Sequence, residues 1–82
     1  MKANVYVTLK TEVLDPQGEA VKRALNALGF SGVQNVRVGK LIELELSPAS
    51  PQTAATELRA MCEKLLANPI VEDFRFELDH GA

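Results

Sequence analysis

Nucleophilic catalysis needs a nucleophile with a base within hydrogen-bond reach, and this sequence supplies few of either. Cys62 is the only cysteine and His80 the only histidine. Cys62 falls on an apolar stripe of helical spacing. Unpaired cysteine is among the most buried residue types, so a small core residue is expected there. His80 sits in the tail Asp79-His80-Gly81-Ala82, read as solvated and frayed. One Cys and one His supply a metal site poorly. A phosphate-cradling loop would need G-x-x-x-x-G-K-[ST]. Here Gly39-Lys40 is followed by Leu41, and Gly32 lies at the wrong distance. Gly39-Lys40 is instead a bend in a sheet, or a partner contact made through Arg37 and Lys40. Paired carboxylates occur at Glu43 and Glu45 and again at Glu72 and Asp73. Period-two spacing puts Glu43 and Glu45 on one exposed sheet face, where they discourage stray pairing. Gly18 is the odd local choice. In the first turn of a helix it costs up to about 1 kcal/mol relative to Ala, which suggests that another backbone or a ligand comes close.

The residues that could hold such groups belong to a single small domain, 1–82. A core of this size supplies on the order of 3–5 kcal/mol, and such chains lean on disulfides, metal or oligomerisation. A lone cysteine excludes an internal disulfide, which leaves oligomerisation open. The net charge of -2 and a pI near 5.3 argue against a nucleic-acid binder, which shows a basic face or stripe. Lys22-Arg23 is the only adjacent basic pair, and Glu19 lies one turn before it. No apolar run approaches the roughly 18 residues of a membrane span, and the N-terminus has no apolar block like that of a signal peptide. A soluble, cytoplasmic chain is expected, and a lone thiol fits a reducing compartment.

The spacing predicts six elements. Ala3–Lys10 alternates as a half-buried strand with Ala3, Val5, Val7 and Leu9 on one side. Asp15 caps a helix that starts at Pro16 and stops at Gly29. Its stripe is Ala20, Val21, Ala24, Leu25 and Leu28. Val33–Val38 and Leu41–Leu46 are two strands, joined at Gly39-Lys40 either as a tight hairpin or as one long bent strand. Ser50 caps a second helix that begins at Pro51, with Ala54, Leu58, Met61, Cys62 and Leu65 as its stripe. Asn68-Pro69 ends it, because the residue before proline is pushed out of helical geometry. Val71–Leu78 is the last strand, with Phe74, Phe76 and Leu78 inward. The order β-α-β-β-α-β predicts an α+β, ferredoxin-like antiparallel sheet with two helices packed on one face.

Three blocks carry a resemblance. Val13-Leu14-Asp15-Pro16-Gln17-Gly18, followed by Ala20-Val21 and Leu28-Gly29, resembles the opening signature of the PurS family. Val36-Arg37-Val38-Gly39-Lys40 resembles its central block, and Leu65–Glu72, with Asn68-Pro69, its late block. The likeness runs from about Val5 to Phe76. It implies a non-catalytic small subunit of phosphoribosylformylglycinamidine (FGAM) synthase, the ATP- and glutamine-dependent amidoligase of purine biosynthesis. Such a subunit dimerises and bridges a PurQ-type glutaminase and a PurL-type synthetase. It helps shape the passage of ammonia between them, with ATP and Mg used by the assembled complex and no cofactor bound by this subunit alone. Gln17, Gly18, Arg37, Gly39 and Lys40 are the expected partner-binding residues, with a phosphate-bearing ligand as the other candidate at that interface. Asp15, Pro16, Asn68 and Pro69 are the structural ones. A free-standing small-molecule-sensing domain of the same topology is the alternative. An RNA-binding domain would need exposed aromatics on the central strands, where this chain has Asn35, Arg37, Glu43 and Glu45. A metal chaperone would need C-x-x-C.

Overall fold

The alternation at the start of the chain builds the centre of the sheet. In the computed structural model, which describes residues 1–47 and 51–79, strand β1 spans Lys2–Leu9 and buries Ala3, Val5 and Val7. Strand β2 (Gly39–Glu45) pairs along one edge, from Lys2↔Glu45 to Thr8↔Gly39. Strand β3 (Glu72–Asp79) pairs along the other, from Lys2↔Asp79 to Leu9↔Glu72. Both pairings are antiparallel, and the order is β2-β1-β3. Side chains alternate across the sheet. Val5 therefore stands between Ile42 and Phe76, and Ala3 between Leu44 and Leu78, on the apolar face.

This is the inner part of a ferredoxin-like sheet. The expected strand Val33–Val38 is not a strand: these residues are irregular, and β2 begins at Gly39. There is neither a hairpin nor a bent strand at Gly39-Lys40. The reason is local. The Val38 N–H, which a ladder would use, donates to the Asp15 carboxylate at 2.9 Å, and Arg37 reaches out to the Leu9 and Lys10 carbonyls at the end of β1 rather than lying along an edge.

Helix α2 (Pro51–Met61) covers the apolar face. Ala54 and Leu58 are fully buried on it. A single π-helical turn, Cys62–Leu66, continues it, closed by Ala67 N–H donating to the Cys62 carbonyl at 2.9 Å. The wider turn holds one residue more than an α turn and shifts the stripe. Cys62, Leu66 and Ala67 pack into the core, whereas Leu65, expected on the stripe, is 83% exposed. The helical run ends before Asn68-Pro69, as the sequence predicts. Asn68 then builds the turn into β3: its Oδ1 accepts from Ile70 N–H at 3.1 Å, and its carbonyl accepts from Glu72 N–H at 2.7 Å. Ser50 and His80 lie outside the described residues.

Helix α1 (Pro16–Ala27) departs from expectation. Asp15 caps it, Pro16 takes its first position, and Glu19 faces the positive helix start. Gly29, at φ +103, ends it while Phe30 N–H donates back to the Leu25 carbonyl at 3.0 Å. Yet its only buried residue is Gly18, and no residue of its stripe joins the core. Val21 is 41% exposed and Leu28 74%. The second helix expected on the sheet face instead stands away from it. The radius of gyration is 16.2 Å, against about 12 Å for a compact chain of this length.

Candidate docking site at the base of helix α1

Asp15 is the buried charged side chain among the described residues, at 8% exposure. One carboxylate oxygen accepts from Gly18 N–H at 2.9 Å, and the other accepts from Val38 N–H, also at 2.9 Å. One side chain therefore ties the start of α1 to the chain's return into β2. These two donors hold the Asp15 carboxyl below the usual carboxylate range; the nearby Arg37 charge adds to this, and burial opposes it. Arg37 Nη2 donates to the Leu9 carbonyl and, at 3.0 Å, to the Lys10 carbonyl. That closes the second tie, from the return segment to the end of β1.

The glycines belong to the same clamp. A Cβ on Gly18 would lie 2.2 Å from the Val36 carbonyl oxygen. The close approach expected at Gly18 is thus made by this chain's own backbone. A Cβ on Gly39 would lie 2.5 Å from the Val7 carbonyl oxygen, where β2 first meets β1. Both glycines are explained by packing inside the chain.

Gln17, Gly39 and Lys40 meet beside the clamp. With Asp15, Pro16 and Glu72 they line an open cleft of about 350 Å³ beside the end of β1. Lys40 is 57% exposed, with Glu72 at 3.9 Å. The Glu72 side chain also accepts from Asn68 N–H at 2.6 Å. Glu72 thus links the late block to the central one. In the sequence Glu72 stands as half of a carboxylate pair and as the end of the late block, four residues after Asn68. Of the five residues assigned to partner binding, Gln17, Gly39 and Lys40 share this cleft, whereas Gly18 and Arg37 do not line it. A phosphate at the start of α1 has poor chemistry here. The Gly18 N–H already serves a carboxylate, and Glu72 faces Lys40.

The remaining chemistry-bearing groups do not line this cleft. Cys62 is fully buried, and that burial pushes its thiol pKa up, which favours the protonated form. Glu43 and Glu45 are exposed on the outer sheet face. On that same face Tyr6 Oη donates to Glu77 at 2.6 Å, the Arg75 guanidinium lies 3.9 Å from the Tyr6 ring centre, and Lys10 pairs with Asp73 at 2.9 Å. The described residues include no group of three His, Cys, Asp or Glu placed to hold a metal, and no helix long and apolar enough to cross a membrane.

Together these features define a small ferredoxin-like α+β protein whose polar centre is a backbone clamp flanked by an open cleft. The PurS model, described as phosphoribosylformylglycinamidine (FGAM) synthase, matches residues 2–80. A PurS subunit from Synechocystis is 49% identical over 90% of this chain and 74% of its own length. The crystal structure of Methanocaldococcus jannaschii PurS superposes with a TM-score of 0.88 at 37% identity, covering 99% of this chain and 98% of that one. A chain of the PurLQS structure from Thermotoga maritima superposes at 0.85 with 33% identity, covering 93% of each. The chain belongs to the PurS family.

Proposed function

We propose that this chain is the small, non-catalytic subunit of FGAM synthase, bridging a PurL-type synthetase and a PurQ-type glutaminase in the cytoplasm. The observation that carries the reading is the match to a chain of the Thermotoga PurLQS structure along almost the whole length of both. The assembled enzyme uses ATP, Mg and glutamine to convert formylglycinamide ribonucleotide into FGAM; this subunit supports delivery of ammonia and binds no cofactor alone. It works as a dimer or a higher self-assembly. The family match leaves the free-standing ligand-sensing alternative without support.

Gln17 and Lys40 are the docking side chains. They are exposed at an open cleft and hold neither β1 nor α1 in place. The test is Gln17→Ala with Lys40→Glu, followed by thermal melting and by pull-down with both partner subunits. The expected result is a normal melt with complex formation weakened at least tenfold. A double variant that assembles like the parent would overturn the assignment.

A further inference from the structure

Helix α2 covers one face of the three-stranded sheet. The opposite face lies open among the described residues, and the register sorts its side chains into rows across the strands. Five carboxylates stand on it: Glu43, Glu45, Asp73, Glu77 and Asp79. Against them are three cations, Lys2, Arg75 and, just past β1, Lys10. That excess of two equals the whole net charge of -2, so the rest of the chain is balanced and its acidity belongs to this surface. Charge alone would only keep the sheet from pairing at random. The middle row is different: it reads Leu41, Tyr6, Arg75. Leu41 is 52% exposed, where a face meant only for water would carry a polar residue. The Arg75 guanidinium lies over the Tyr6 ring, and the Tyr6 hydroxyl donates to Glu77 at 2.6 Å, so three of these side chains are already ordered. An apolar and aromatic centre with an arginine and a charged rim is the composition of a docking patch. Side chains held beforehand also lose less freedom on binding.

The next row gives the partner's chemistry. Glu43 and Glu77 flank Asn4 on either side, about 10 Å apart at the backbone. Glu43 and Glu45 make no ion pair with the described residues. An arginine of another chain laid over Asn4 would meet a carboxylate on each side, with its stem against Tyr6 and Leu41. We infer that this face is a second docking surface, and that its occupant is an arginine-bearing, positively charged patch on the enzyme subunit that does not hold the Gln17–Lys40 cleft. The inference rests on the bridging role proposed above, because a chain that joins two enzymes needs two surfaces. The cleft opens at the Leu9 end of β1. Glu43, Glu45, Glu77 and Asp79 crowd the Lys2 end, so both subunits can be held at once.

Charge reversal tests it. The immobilised parent and a variant carrying Glu43→Lys and Glu45→Lys are titrated with the PurL-type and PurQ-type subunits, singly and together, at low and at high salt. The reversed chain should bind one subunit at least tenfold more weakly while keeping the subunit that Gln17→Ala with Lys40→Glu loses. Parent binding at this face should weaken with salt, and the residual binding of the reversed chain should depend on salt less. Both substitutions sit at exposed positions, so the far-ultraviolet circular dichroism and the sedimentation of the chain alone should be unchanged. Glu43→Gln with Glu45→Gln covers the case in which the lysines disturb the sheet, and should give a smaller loss of the same subunit. Three results would overturn the inference. Reversal and neutralisation that both leave every affinity unchanged would show a face that only meets water, with the bridging role intact. Loss of the same subunit from the cleft variant and the sheet variant would mean a single footprint. A parent that holds neither subunit in any combination would remove the bridging role itself, and the second surface with it.

Discussion

The half of the molecule made by the sheet and α2 closes on itself, and the half made by α1 does not. Both halves have the same sequence signature, an amphipathic helix beside alternating strands. In the first, Leu58, Val5, Val7 and Cys62 are each less than 2% exposed. In the second, polar ties do the positioning and the apolar stripe of α1 is exposed but for the half-buried Leu25. Amphipathicity shows that a helix has a partner surface, not that the surface lies in the same chain. In a domain this small, the half left open is where association can supply the missing burial.

The largest expected effect separates the halves. Leu58→Ala should lose about 2–5 kcal/mol of stability in urea unfolding, since it opens a cavity in the core. Val21→Ala in α1, at an exposed position, should leave the stability of the isolated protomer within roughly 0.5 kcal/mol, and any larger loss should depend on protein concentration. Equal, concentration-independent losses at both sites would erase the distinction.

Next comes the clamp between them. Asp15→Ala should lower the melting temperature by roughly 5–10 °C, because a buried backbone donor at one end of the tie and a part-buried one at the other lose their acceptor. Asp15→Asn should fall between parent and Ala. Capping alone would favour Asn nearly as well as Asp, but the amide offers one acceptor oxygen where the structure uses two. Its pH dependence follows from the depressed carboxyl pKa. The ionised form is favoured by folding, so the stabilisation is complete above the unfolded value of about 4 and is lost as pH falls through the lower folded value. Melting temperatures measured downward from pH 6 should therefore drop more steeply for the parent than for Asp15→Asn, and parallel curves would contradict the clamp.

Smaller effects are expected of the remaining groups. Cys62→Ala should cost about 1 kcal/mol and leave glutamine-dependent turnover of a reconstituted complex intact; lost turnover in a folded variant would mean that the thiol has a role beyond packing. Least of all, Lys10→Ala should shift the melting temperature by less than about 3 °C, since its partner Asp73 is exposed.

Much of this was legible in the residues. The alternation of Ala3, Val5 and Val7, the Asp15-Pro16 start, the Gly29 stop and the Asn68-Pro69 break act through neighbours in sequence, and each element stands within a residue or two of expectation. What escaped was one long-range tie and one change of helical phase. Val33–Val38 has strand-like spacing, but a carboxylate more than twenty positions earlier captures Val38. The π turn at Cys62–Leu66 moves Leu65 to the surface and Leu66 inward, a change of phase that no α-helical stripe foretells. Their place in the family-like blocks, as polar residues or glycines beside core elements, marked Gly18, Arg37 and Lys40 as docking residues. Only the geometry separates the two that hold the clamp from Lys40, which faces the cleft.

The most direct test of the central claim is omission. FGAM formation by PurL-type and PurQ-type subunits from the same source should be measured with glutamine and, in parallel, with ammonium as nitrogen donor, with and without this chain. The account predicts that leaving the chain out abolishes glutamine-dependent synthesis and largely spares the ammonium-dependent reaction, while the chain alone hydrolyses neither glutamine nor ATP. Undiminished glutamine-dependent synthesis without it, or turnover by the isolated chain, would contradict the account.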